Sequence, residues 1–170
     1  MRRTVQGIVL REINYKEADK ILTVLTREEG KLTLKARGCR RKNSRLLASS
    51  QLLVYSELAI TQRGEFITLA EGDPLTQFRR LGEDIDKLAL ASYFAEVTEK
   101  TVQEGEVCPD ILSLLLNCLY ALDTLDKPLE QVKAVFQLRL LTLTGLAPLL
   151  DTCVGCGNPQ PAEPRLHLLQ

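Results

Sequence analysis

The sequence predicts an α+β chain whose strands come first and whose helices follow, ending in a small cysteine-bearing tail. Three observations carry this. Residues 3 to 71 repeat short β-branched or alternating stretches separated by Gly-containing turns; the period becomes helical after Asp73-Pro74; and residues 151–170 hold three prolines and two glycines. The predicted units are a strand-rich domain over residues 1–73, a helical domain over 74–150 and a tail over 151–170.

The strands come in order. "TVQGIVLRE" and "KILTVLTRE" are rich in β-branched residues. "KLTLKAR" alternates strictly, with Leu32, Leu34 and Ala36 on one face and Lys31, Thr33, Lys35 and Arg37 on the other, which makes the second face solvent-facing and basic. "EEGK" places Gly30 where a hairpin wants positive φ, so the second and third strands should pair antiparallel. "QLLVYSELAITQ" and "EFITLAEG" follow, joined at Arg63-Gly64 by a second hairpin signal. Five short, mostly antiparallel strands predict a small barrel or a sandwich.

The helices are read from a different period. "LGEDIDKLALASYFAEVTEKTVQE" spaces Ile85, Leu88, Ala89, Ser92, Tyr93, Glu96 and Val97 by threes and fours. "CPDILSLLLNCLYALDTLD" has Pro109 in a permitted first-turn position and is apolar on most faces, so it belongs at the centre of a bundle. "PLEQVKAVFQLRLLTLTG" begins at Pro128 and stops at Gly145.

The 170 residues balance 22 bases against 22 acids, yet residues 1–45 hold 13 bases and 5 acids while the rest holds 9 and 17. "KARGCRRKNSR" carries six cations in eleven positions, and no carboxylate occurs between Glu29 and Glu57. Such a stretch, set between two strands, attracts polyanions and releases their counterions. It makes Lys31, Lys35, Arg37, Arg40, Arg41, Lys42 and Arg45 the candidate nucleic-acid ligands. A solvated loop with no specific partner is the weaker reading. The strand half has three aromatics, Tyr15, Tyr55 and Phe66, of which Tyr55 and Phe66 read equally well as core. That scarcity favours backbone contacts over base reading.

No apolar run nears the ~20 residues of a membrane span, and the first apolar stretch is too short for a signal peptide, so a cytoplasmic location is expected. Cys39, Cys108, Cys118, Cys153 and Cys156 are too few and too scattered for a secreted disulfide framework, and Cys108 and Cys118 read as small apolar residues. Cys153 and Cys156 form half of a Cys₄ zinc site, a partial zinc knuckle. The second pair is absent, and His167 alone adds only a third ligand. Zinc is therefore the metal this tail points to through an incomplete site. Glu17 and Asp19 lie between Lys16 and Lys20 and read as turn chemistry with ion pairing. With no nucleotide-binding motif and one histidine, no catalytic set can be assembled, and the chain does not read as an enzyme.

"GIVLREINYKEADKILTVLTREEGKLTLKARG", with Gly7, Tyr15, Glu17, Asp19, Thr26, Gly30, Ala36 and Gly38 in this order and followed by a basic stretch ending in Ser44-Arg45, resembles the N-terminal domain of the bacterial RecO family of DNA repair proteins. "DKLALASYFAEV" and "FQLRLLTLTGLAPLLDTCVGCG" resemble later parts of that family in the expected order. The resemblance implies an N-terminal OB-fold, a helical domain and a recombination mediator. It implies binding to single- and double-stranded DNA, annealing of complementary strands, help in loading the recombinase on coated DNA, and a nucleoid-associated location. The partners it implies are RecR and the acidic tail of single-stranded-DNA-binding protein, for which Arg79, Arg80, Lys133 and Arg139 are candidate contacts. Zinc-binding members of the family carry a second CxxC and a further helical segment that this sequence lacks, so it reads as a truncated form or a fragment. Two other classes fit the charge: an RNA-binding OB module and, ranked last, a metal or redox protein built on Cys153 and Cys156.

Overall fold

The computed structural model describes residues 1–125, 127–153, 155 and 157–159. Five strands, β1 (Arg2–Tyr15), β2 (Asp19–Thr26), β3 (Gly30–Ala36), β4 (Tyr55–Arg63) and β5 (Phe66–Thr76), close into a barrel in the order β1-β2-β3-β5-β4, with β4 returning to β1. Every pairing is antiparallel except β3 with β5, which run parallel through Leu34↔Ile67, Lys35↔Thr68 and Ala36↔Leu69. A five-stranded barrel of this connectivity is an OB-fold. The sandwich alternative is therefore set aside.

The hairpins form where the turn chemistry placed them. Gly30 and Gly64 hold φ of 71° and 60°, values that an L-residue adopts only with strain. β5 runs on past Asp73 to Thr76, because Pro74 lies opposite Ser56 beside a register shift, where a ladder donor is not required.

Two apolar cores result. Val5, Val9, Leu22, Val24, Leu34, Leu58, Ile60 and Leu69 fill the barrel. A bulge between Val9 and Arg11 leaves Ile8, Val9 and Leu10 all buried: Val9 points into the barrel, while Ile8 and Leu10, with Leu25, join the core of the helical unit. The apolar run "GIVL" is thus a strand covered on both sides.

The helical unit holds a short 3₁₀ turn (Arg79–Glu83), then α1 (Ile85–Thr101), α2 (Pro109–Thr124) and α3 (Leu129–Leu143). Asp84 caps α1 by accepting from the amides of Asp86 and Lys87, and Asp123 of α2 accepts from Arg80 and Leu81, tying the 3₁₀ turn to the bundle. α2 buries Ile111, Leu112, Leu115, Cys118, Leu119 and Leu122, in keeping with a central helix. α1 corrects the expected stripe. Its buried residues are Ala91, Phe94, Ala95 and Thr98, whereas Ile85 is 77% exposed and Ala89 and Glu96 face solvent. The small side chains of Ala91 and Ala95 let the helix approach closely, and Phe94 stacks on Phe136 of α3 with ring centroids 4.1 Å apart. Packing of that pair selects the buried face over the wider apolar spacing. No described helix is long and apolar enough to cross a membrane.

Candidate nucleic-acid interface

The basic stretch forms the connection between β3 and β4, residues 37–54, and it is fastened to the barrel. Cys39, Leu46, Ser49 and Ser50 are buried. A Cβ on Gly72 of β5 would overlap the Ser49 side chain, so the far leg of the loop sits directly on the strand. Successive turns are closed by the amides of Arg41, Ser44, Leu47 and Ser50, which donate to the carbonyls of Gly38, Arg41, Ser44 and Leu46. The Leu53 amide donates to Val9 at 2.9 Å.

The near leg is joined to the β1–β2 turn. The Gly38 amide donates to Asp19 Oδ1 at 2.8 Å, the Arg40 amide to the Ala18 carbonyl at 3.0 Å, and Arg40 Nη1 to the Glu17 carbonyl at 3.2 Å. Lys35 Nζ lies 3.3 Å from Asp19 Oδ2. The Gly38 hydrogen bond, aided by Lys35, holds the Asp19 carboxyl below its ordinary range. Asp19 therefore does turn and ion-pair work, but its ion-pair partner is Lys35 rather than the flanking Lys16 or Lys20, and Lys20 pairs with Glu12 instead.

The cations divide into two groups. Arg2 pairs with Glu71 at 2.8 Å, Arg11 with Glu99 at 3.0 Å, Lys20 with Glu12 at 2.7 Å, and Arg3 with Glu29. Arg37, Arg40, Arg41, Lys42 and Arg45 are exposed, and none has a carboxylate within ion-pairing distance among the described residues. Arg2, Arg3, Arg11 and Lys20 are thus ion-paired along the barrel, whereas the five cations of the anchored loop, like the isolated Lys16, Arg27 and Arg63, are not. Lys35 adjoins the loop's cations; Lys31 does not. Lys31 Nζ donates to the Glu99 carbonyl at 2.7 Å, in the junction between barrel and helices.

The structure separates the two readings left open for the aromatics. Phe66 is 81% exposed, so it is not core. Tyr55 is half-buried and bonds Gln6 Oε1 at 3.2 Å. Tyr15 is partly exposed, with Lys35 Nζ 4.5 Å from its ring centroid. In a strand one residue inward is indistinguishable by composition from one residue outward, and a hairpin start at Phe66 was the signal available.

In the helical unit the four expected cations have separate immediate partners, Arg79 Nε donating to Gln77 Oε1 at 3.2 Å. Arg139 lines an α2–α3 groove of about 520 Å³ with Lys127, Lys133 lies 5.8 Å over the Tyr93 ring, and the Arg80 amide is bound to Asp123. In the tail, the Cys153 carbonyl accepts from Gly157 at 2.8 Å and its amide donates to Asn158 at 3.0 Å, closing a tight turn. Cys156 and His167 lie outside the described residues. Among the described residues no three His, Cys, Asp or Glu side chains gather to hold a metal.

Comparison with known proteins settles the family. The model for the N-terminal part of recombination protein O matches residues 1–78, and that for its C-terminal part matches residues 82–165. The chain belongs to the RecO family. The DNA repair protein RecO of Acetivibrio thermocellus is 34% identical over 152 residues, covering 89% of this chain and 61% of the relative. Those of Caldicellulosiruptor saccharolyticus and Symbiobacterium thermophilum are each 36% identical, covering 89% and 91% of this chain and 62% and 61% of their own lengths. The chain spans about three fifths of the length of these curated relatives. The RecO N-terminal match coincides with the barrel and its basic loop, and the C-terminal match begins within the 3₁₀ turn that leads into α1.

Proposed function

We propose that this chain is a DNA repair protein that grips nucleic acid by its phosphates and acts without covalent chemistry. One observation carries the reading: five exposed cations on an anchored loop, uncompensated by any described carboxylate, in a barrel of OB connectivity. Arg37, Arg40, Arg41, Lys42 and Arg45 are the phosphate ligands, with Lys35 at their edge. Because Cys39, Leu46 and Ser49 hold the loop down, binding does not have to order it first, and less affinity is lost to entropy. Both single strands and duplex present the phosphates it needs. Two complementary strands neutralised on such a surface repel each other less, which favours annealing. Loading of a recombinase, pairing with RecR and contact with the tail of single-stranded-DNA-binding protein follow from family membership alone, and belong to this proposal on that ground.

The experiment is binding of this chain to single-stranded and duplex DNA across a salt series. Each phosphate contact contributes a log–log slope of about −0.7 on single strands and about −0.9 on duplex. A slope of several units supports the reading, and a flat profile removes it. An RNA strand of matched sequence, run beside the DNA, separates the repair reading from that of an RNA-binding module.

A further inference from the structure

The outer face of β1, β2, β3 and β5 carries side chains that phosphate binding does not use. Phe66 opens β5 and is 81% exposed; Tyr15 closes β1 at 42%, and Ile13 stands at 48%. Register and alternation point all three outward from the barrel wall. Ile13 pairs with Ile21, Ile21 with Lys35, and Lys35 with Thr68. Tyr15 lies two positions from Ile13 and Phe66 two from Thr68, so alternation puts both rings on the same side of the sheet. The opposite parity is settled by Leu34, Ala36 and Leu69, which fill the barrel.

This face is bordered by cations at both ends. Lys35 and Lys16 lie 4.5 and 5.5 Å from the Tyr15 centroid, and the Arg40 side chain is bonded to the β1–β2 turn beside it. Arg63, exposed, pairs with Phe66 across the β4–β5 hairpin. Aromatic and aliphatic surface framed by positive charge complements a ligand that alternates planar apolar faces with anionic links. An unpaired nucleic acid strand is such a ligand. A duplex is not, because its base faces are already stacked and it offers only backbone and groove edges.

We propose that Tyr15 and Phe66 are base-stacking anchors for a single strand laid across the outer face of β1, β2, β3 and β5. The inference rests on the DNA-binding reading above and adds a second mode of contact: phosphates go to the loop, bases to the rings. It makes the chain prefer single strands to duplex, without a preference for sequence, since every base has a stacking face.

The test compares oligothymidine, an equally long strand of abasic sites and a duplex, each bound to the 170-residue chain and to its Tyr15→Ala, Phe66→Ala and Tyr15→Phe variants. Loss of either ring should weaken oligothymidine binding about five-fold or more, leave the salt slope unchanged, and leave abasic and duplex binding as they were. Tyr15→Phe should bind as the parent does. Phe66 makes no core contact that its removal would break, so that variant stays informative if Tyr15→Ala disturbs the turn. Parent binding to the abasic strand as tight as to oligothymidine, or both alanine variants unchanged on oligothymidine, overturns stacking and leaves the phosphate reading intact. A parent that binds none of the three ligands overturns both.

Discussion

Gly30 and Glu106 occupy the same narrow space: a Cβ on Gly30 would overlap the backbone carbonyl of Glu106. The β2–β3 hairpin is thereby wedged against the α1–α2 connection, an approach reinforced by the Gly105 amide donating to Lys31 at 3.0 Å and by a parallel bridge between Lys31 and Glu104. Gly30→Ala should cost about 3 kcal/mol, from a left-handed φ and from backbone crowding together. Gly64→Ala meets nothing within 4 Å at a similar φ and should cost only about 1 kcal/mol. Urea denaturation of both variants isolates the docking contribution, and equal losses would refute it.

Arg40→Ala/Arg41→Ala/Lys42→Ala should fold as the parent does, because the loop's buried residues, Cys39, Leu46 and Ser49, are untouched. Affinity for DNA should fall and the log–log salt slope should flatten by about 2 units if all three cations meet phosphates. An unchanged slope in fluorescence anisotropy titrations would take this loop out of the mechanism.

Asp19 links stability to pH. Its carboxyl is held below its ordinary value of 3.8, first by the Gly38 amide and then by Lys35. A group lowered in the folded chain contributes stability above the unfolded value and loses it as pH falls through the folded one. The parent should therefore lose stability on acidification below about pH 4. Asp19→Asn keeps an acceptor for Gly38 but carries no charge to titrate, so its loss between pH 7 and 3 should be smaller. Denaturant midpoints at several pH values measure the difference, and parallel curves would dismiss Asp19 as a contributor.

Much of this architecture could be read from the residues, and the parts that could not share a cause. Alternation in "KLTLKAR" and the turn glycines 30 and 64 located β3 and both hairpins, because the period of a strand and the φ of a turn are local properties. The loop's charge was legible for the same reason. Three features were not. The buried face of α1 is set by Phe94 meeting Phe136, forty-two positions away. Lys31 is drawn from the basic face to the Glu99 carbonyl only once α1 packs on β1. Phe66 stayed open between core and surface because its hydrophobicity says nothing of which way the first residue of a strand points. Each depends on a contact between distant segments, which one sequence does not display.

The thiols offer a probe of the second core. Burial pushes Cys118 up to about 11, and Cys39 is fully enclosed under the basic loop. Thiolate is the reactive form, so at about pH 8 neither should be alkylated in the native chain on the timescale of a free thiol, while both should react once guanidinium unfolds it. Peptide mapping after iodoacetamide treatment reads this directly. Native modification of Cys118 would mean that the helical unit opens far more readily than its packing implies.

Lys31 and Lys35 separate two roles that the strand pattern assigns to one. They share the outward face of β3, two residues apart, yet Lys31 crosses to the Glu99 carbonyl at 2.7 Å while Lys35 stands among Asp19, Tyr15 and the basic loop. A hydrogen bond from a charged donor is worth ~1.5–3 kcal/mol when well shielded, and the partial exposure of this junction reduces that to about 1 kcal/mol. Lys31→Ala should therefore lower stability by about that amount and leave the salt slope for DNA unchanged. Lys35→Ala should do the reverse, with little loss of stability and a slope smaller by about 0.7 to 0.9. Should Lys31→Ala flatten the slope as much as Lys35→Ala, the nucleic acid reaches the junction, and the division between docking and binding along β3 falls.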